Sequence, residues 1–119
     1  MLLWGGETAV SLGAAAGRGG RCQELALAAA GRLHRAGRQD VWLLAAGTDG
    51  RDGPTDAAGA LVDARTWAAV AAGGVDPAAA LRAHDSHGAL DAAGALLRTG
   101  ATGTNVRDVV IGVATGSTA

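Results

Sequence analysis

Residues 41–46, VWLLAA, form an unbroken apolar run, and the ten residues that follow, GTDGRDGPTD, carry three aspartates, three glycines, one arginine and one proline. No other junction in the chain constrains the fold as tightly. The run must leave water, and its length suits a strand over 40–46 buried on both faces. Glycine and proline then stop it in a stiff loop. One Asp and one Gly are enough for a turn, so the loop holds more carboxylate than its geometry requires.

The chain has 119 residues, enough for one domain with a real core. It contains no Phe or Tyr, three Trp and 20 Gly, so Leu, Val and Trp must supply the core while Ala permits close helix packing. The ten basic residues are all arginine and are offset by eleven acids. A net charge of −1 offers no basic surplus for nucleic acid. Without lysine, the chain supplies no Walker-A lysine, Schiff base or lysine general base. A single cysteine, Cys22, excludes an internal disulfide and a multi-cysteine metal site. The apolar start MLLW is too short for a signal peptide or a membrane span. The expectation is a cytoplasmic protein with no membrane partner.

The coarse pattern alternates strands and helices. ETAVSL, 7–12, alternates like a strand, and GAAAGRGG, 13–20, is a glycine-rich connector. Residues 21–36 read as a helix stopped by Gly37, with Leu25, Ala29 and Leu33 on one face. Glu24 in the first turn and His34 and Arg35 in the last suit the helix dipole. A short strand is expected at 58–63 and a helix capped by Asp63 that runs to about Ala72. Asp76–Pro77 opens another, and Ser86 caps one over about 87–97. The last strand is expected at 106–114. The predicted fold class is α/β, a single layered domain with a mostly parallel or mixed sheet flanked by helices.

Several motifs carry chemistry. GRGGR, 17–21, stands before the first helix, where glycine amides, a helix N-terminus and the guanidiniums of Arg18 and Arg21 suit an anion. It is equally a flexible connector with solvated arginines. It lacks the Gly-Lys-Ser/Thr of a P-loop and the third glycine of a dinucleotide fingerprint, because Cys22 stands there. Asp49, Asp52 and Asp56 follow a strand, where α/β folds place ligands, but Arg51 breaks any EF-hand pattern. Their plain alternative is an Asx-turn and a helix cap. In AHDSHG, 83–88, His84 and His87 flank Asp85. A zinc pair is conceivable, and a helix boundary is the simpler account. Cys22 as a nucleophile lacks an evident base.

In order, GGET, GRGGRCQELALA, LLAAGTDGRDGPTDAAGALVD, HDSHGAL and LLRTGATGTNVRDV resemble the MOFRL domain, from Gly5 to about Val113. That domain forms the C-terminal part of glycerate 2-kinases, some of which carry the name hydroxypyruvate reductase. The resemblance implies that residues 1–119 are a MOFRL-like domain whose N-terminal kinase partner, in cis or in trans, is absent. It implies transfer of the ATP γ-phosphoryl group to the 2-hydroxyl of D-glycerate with Mg²⁺, giving 2-phosphoglycerate. The isolated chain is expected to be inactive alone. The alternative readings are a stand-alone small-anion-binding module and an inactive truncated remnant.

The chain departs from the family pattern at Cys22 and His84, each in place of Asn, and at Ala101, in place of Pro. The resemblance makes Arg21, Asp49 and Asp52 the catalytic candidates. Arg21 is expected to hold glycerate's carboxylate or the moving phosphoryl group. Asp49 and Asp52 are expected to face the cleft and orient a hydroxyl or a metal-bound water, with Asp56 bracing the loop. Glu7, Gly19, Gly20, Glu24, Thr48, Asp56, Thr102 and Asn105 are the substrate-binding candidates, and no metal ligand is assigned. The loops at 5–7, 17–21, 47–56 and 99–105 are expected to share one edge of the sheet.

Overall fold

The computed structural model describes residues 2–6, as backbone, and 17–115. The strand expected at 7–12 and the candidate Glu7 lie outside the described residues. The elements in chain order are β1 (Leu2–Gly6), α1 (Arg21–Ala36), β2 (Val41–Gly47), β3 (Gly59–Val62), α2 (Ala64–Ala72), α3 (Pro77–Arg82), α4 (Ser86–Ala92), β4 (Leu96–Leu97) and β5 (Asp108–Ala114). The α/β class holds.

The direction of the sheet does not follow the expectation. Strand order is β1-β5-β2-β3-β4, and every pairing among the described strands is antiparallel. Parallel neighbours need a long crossover, usually a helix. Here β2 and β3 follow one another with only the acidic loop between them, so they form a wide hairpin. Residues 2–6, read partly as a polar loop, form the edge strand β1.

The antiparallel arrangement has a consequence for function. Gly47 at the end of β2 pairs with Asp108 at the start of β5, and Gly6 at the end of β1 pairs with the same residue. Gly59, which opens β3, lies opposite Ala46 on one side and Leu97 on the other. The loops that leave β2 and β4 and enter β3 and β5 therefore gather at one end of the sheet.

α1 packs across β2 and β3 and touches all three other helices. Its buried residues are Cys22, Gln23, Ala26, Leu27, Ala30 and Gly31, rather than the expected stripe of Leu25, Ala29 and Leu33. The small residues set the closest approach: a methyl on Gly31 would lie 2.7 Å from the Trp67 ring. Ala45, Ala60, Val62 and Val110 from the sheet meet Leu27, Val70 and Leu90 from the helices. Full burial of each such Val or Leu is worth about 1.5–3 kcal/mol. In β2 only Ala45 and Gly47 are fully buried, while Trp42, Leu44 and Ala46 on the other face are partly buried, so the strand is not enclosed on both faces.

The caps of α2 and α3 and the stop of α1 follow the sequence, but Ser86, expected as a cap, is instead the first residue of α4, and Asp85 before it makes no side-chain cap bond. Asp63 and Thr66 form a reciprocal capping box on α2, and Asp76 accepts from Ala78 and Ala79 at the start of α3. Gly37, at φ 67°, ends α1. The helix expected over 87–97 stops at Ala92. Gly94 turns the chain at φ 67°, and Leu96–Leu97 are drawn into the sheet beside β3.

Candidate functional site

The loop end of the sheet is organised by Asp52. The residue is 1 % exposed. Oδ1 accepts from Cys22 N at 2.9 Å and Oδ2 from Gln23 N at 2.8 Å. The first residue before α1 is Gly20, which has no side chain to cap with. Asp52 caps the helix from thirty residues downstream. A negative group at a helix N-terminus is favoured by the orphan amides and the dipole together. Gly20 is required for this approach, since a side-chain carbon there would collide with the Asp52 carboxylate. Gln23 extends the contact by donating from Nε2 to Asp52 O and to Thr55 Oγ1.

One residue before that cap, Arg21 reaches the start of β5. Its Nε donates to Asp108 Oδ2 at 2.6 Å and Nη2 to Asp108 Oδ1 at 3.0 Å. The Asp108 side chain is 2 % exposed and the Arg21 side chain 31 %. The hydrogen bonds that Arg21 donates to Asp108 raise the Arg21 pKa above its ordinary value. The fork uses two of the five guanidinium N–H groups and fixes the plane of the rest.

The loop before β5 is tied to the acidic loop. Thr48 Oγ1 donates to Arg107 O and accepts from Val106 N, while Thr102 Oγ1 donates to Thr48 O at 2.5 Å. Asn105 Oδ1 accepts from Arg107 N at 2.9 Å, supporting Arg107 at φ 70°. Thr48, Thr102 and Asn105 thus hold loops together. Gly50, at φ 88°, lies against the Gly100 carbonyl with no room for a side chain.

An open cleft of about 560 Å³ lies among these loops, lined by Arg18, Asp49, Gly50, Arg51, Pro54, Thr55, Asp56, Gly100 and Ala101. Asp49 turns its Oδ1 to Arg51 N at 3.0 Å. Asp56 accepts from Arg98 Nε at 2.9 Å and lies 3.2 Å from His87 Nε2. Hydrogen bonds from Arg98 first and His87 second hold the Asp56 carboxyl below the ordinary aspartate range. Of the two aspartates expected in the cleft, Asp49 lines it. Asp52 does not, because both its oxygens are occupied at the helix.

AHDSHG resolves into three separate contacts. His84 Nδ1 meets Glu24 Oε1 at 2.5 Å, Asp85 Oδ1 accepts from Arg18 N at 2.9 Å, and His87 faces Asp56. The two histidines serve different carboxylates. Among the described residues, no group of three or more His, Cys, Asp or Glu side chains could hold a metal ion. Cys22 is buried, and burial first, then the Asp52 charge, pushes its thiol well above the ordinary range. It is a packing residue.

Of the candidates read from the sequence, Gly19, Gly20, Arg21, Glu24, Thr48, Asp49, Asp52, Asp56, Thr102 and Asn105 all belong to this loop end or to the first turn of α1. Sequence reasoning missed Asp108 as the partner of Arg21 and Gln23 as the link between helix and loop. A carboxylate opening a strand beside a glycine loop was the available signal for Asp108. Nothing in the local pattern marked Gln23.

Fold and site together define an antiparallel α/β domain with one loop-built edge rich in arginine, aspartate and glycine. The chain belongs to the MOFRL family, whose model matches residues 1–108. It is 54 % identical over 112 residues to the D-glycerate 2-kinase of Thermotoga maritima, which covers 94 % of this chain and 26 % of that protein. It is 43 % identical to the glycerate 2-kinase of Pyrococcus horikoshii, over 97 % of this chain and 26 % of that protein. A crystal structure of the Thermotoga maritima glycerate kinase superposes with a TM-score of 0.88 at 53 % identity, covering 94 % of this chain and 26 % of that one. The chain thus spans about a quarter of the length of the relatives it matches.

Proposed function

We propose that this chain acts as the C-terminal domain of an ATP-dependent glycerate 2-kinase, completing a cleft in which a phosphoryl group passes to the 2-hydroxyl of D-glycerate. The observation that carries the reading is the placement of Arg21. It is locked by Asp108, partly exposed, and set at the end of the sheet where the acidic loop and the glycine loop meet. The kinases at 43 and 54 % identity across nearly all of the chain support it.

Phosphoryl transfer asks the protein to position groups and neutralise charge. Arg21, beside the cleft rather than in its lining, has three N–H groups beyond those given to Asp108 to offer the anionic oxygens of the moving group or glycerate's carboxylate. Asp49 lines the cleft and orients the attacking hydroxyl. Asp52 is a positioning residue that fixes the first turn of α1 and with it Arg21. Gly20 gives the clearance for that contact, while Gly19 lies against Ser86 at the start of α4. Glu24, held to His84, and Thr48, Thr102 and Asn105 keep the surrounding loops in register. Asp56 braces the far wall through Arg98. Glu7 enters on the family resemblance.

Mg²⁺ suits this edge because it is commonly held by one or two carboxylates plus substrate phosphates rather than by an all-protein cage. Asp49 is the cleft carboxylate that fits, and the ion would supply charge neutralisation on the phosphates. A larger N-terminal domain, in cis or in trans, forms the other wall of the cleft and brings the groups that lysine would supply. The buried free thiol accords with a cytoplasmic protein.

Binding titrations in the two-domain protein test the reading. Arg21→Ala is expected to weaken binding of glycerate or of phosphate at least tenfold. Unchanged affinity for both would remove Arg21 from the site.

A further inference from the structure

The cations at the loop end differ in what they already hold. Arg21 is bonded to Asp108, and Arg98 pairs with Asp56 and Asp91. Arg18 and Arg51 are exposed, both line the 560 Å³ cleft, and neither guanidinium is bonded to another described residue. Arg18 contributes its backbone N–H to Asp85, and Arg51 its backbone N–H to Asp49. The two main chains are therefore pinned while the side chains are unengaged.

The N-terminus of α1 is not available to an incoming anion. Its Cys22 and Gln23 amides are filled by Asp52, a buried carboxylate supplied by the fold itself. An anion arriving at this end meets the two arginines instead. Of the cleft carboxylates, Asp56 is paired with Arg98, and Asp49 accepts from the Arg51 main chain but keeps its charge, so two guanidiniums face one carboxylate that has no cationic partner. Each guanidinium matches a phosphate bidentately. The cleft lies within the range of roughly 300–1,000 Å³ that takes a small organic ligand, larger than one phosphate needs.

We infer that Arg18 and Arg51 form a two-guanidinium clamp for a polyphosphate chain, seated between the glycine loop at 17–20 and the turn at 100–101. The assignment of that chain to the nucleoside triphosphate donor rests on the phosphoryl-transfer reading. The clamp itself rests on the geometry.

Calorimetric titration of this chain with inorganic triphosphate at low ionic strength tests it. One binding site is expected, and Arg18→Gln and Arg51→Gln should each weaken it at least tenfold. Arg32→Gln, on an exposed position of α1, should leave it unchanged. Both clamp side chains are exposed, so the variants should keep the wild-type circular dichroism spectrum. No triphosphate binding by the wild-type chain, or equal affinity in both variants, overturns the clamp. Turnover in a mixture with the N-terminal domain is a separate readout. Full turnover by the double variant overturns the clamp and leaves the kinase reading standing. Triphosphate binding that needs both arginines, in a mixture that makes no phosphoglycerate, upholds the clamp and removes the kinase reading.

Discussion

Arg21, in the first turn of α1, and Asp108, the first residue of β5, are joined by a two-bond fork at 2.6 and 3.0 Å across 87 residues of sequence. The fork turns a flexible side chain into a fixed one. Asp108 sits almost wholly out of water while the Arg21 side chain stays partly exposed. Asp108→Asn should preserve the shape of the pair but remove its charge. The expected outcome in the two-domain enzyme is a fall in kcat well beyond the change in KM, because orientation in the transition state is what the fork secures. Arg21→Ala should cost more, roughly 4–7 kcal/mol of transition-state stabilisation by analogy with arginine fingers. Steady-state kinetics on the two variants checks the order.

Asp52 should be a stability residue first. Hydrogen bonds to a charged group contribute about 1.5–3 kcal/mol each, and Asp52→Ala removes two at a buried helix terminus. A loss of about 3 kcal/mol is expected, with a fall in Tm on the order of 12–20 °C for a domain of this size. Amide exchange at Cys22 and Gln23 should rise more than at the far end of α1. A Tm within 2 °C or so of wild type would contradict the cap, since that corresponds to about 0.5 kcal/mol or less.

Gly20 and Gly50 are contact glycines with different reasons. At Gly20 a methyl group would strike the Asp52 carboxylate, and at Gly50 it would strike the Gly100 carbonyl from a backbone at φ 88°. Gly20→Ala and Gly50→Ala should each destabilise the domain by about 1–3 kcal/mol, the usual range for overpacking or an incompatible φ. Gly88→Ala, inside α4 where the added methyl meets open space, is the control and should not destabilise the domain, with a gain of up to about 1 kcal/mol from helix propensity. Urea denaturation of the three variants checks this.

Asp56 gives a pH dependence of defined sign. Its folded-state carboxyl is held below the ordinary aspartate value by Arg98 and then by His87. Its contribution is therefore complete above the unfolded-state pKa and is lost as pH falls through the depressed folded value. Carboxyl NMR should show Asp56 titrating below an unpaired aspartate, and Arg98→Gln should move the midpoint upward. An Asp56 midpoint that does not respond to Arg98→Gln would contradict the pairing.

The legible parts of the fold were those written in local chemistry. Gly37, Asp63 and Asp76–Pro77 marked helix ends because capping is decided within a few residues. Strand direction was hidden. The spacing from Val41 to Val62 allows either a hairpin or a crossover until the loop is seen to lack a helix. The α1 stripe was misassigned because Ala and Leu recur on several sides of it, and only the sheet decides which side is buried. In the site, the loops were legible as a set. The division of labour among aspartates was not, since Asp52 is distinguished from Asp49 by α1 lying thirty residues upstream in sequence and 2.8–2.9 Å away in space. Asp108 was hidden for the same reason.

The most direct test of the account is a reconstitution. This chain is mixed with a separately produced N-terminal domain of a family relative, together with ATP, Mg²⁺ and D-glycerate, and 2-phosphoglycerate is measured. The account predicts product from the mixture, none from either part alone, and at least a hundredfold less when the chain carries Arg21→Ala. Product formed equally well by the Arg21→Ala chain, or by the N-terminal domain without this chain, would contradict it.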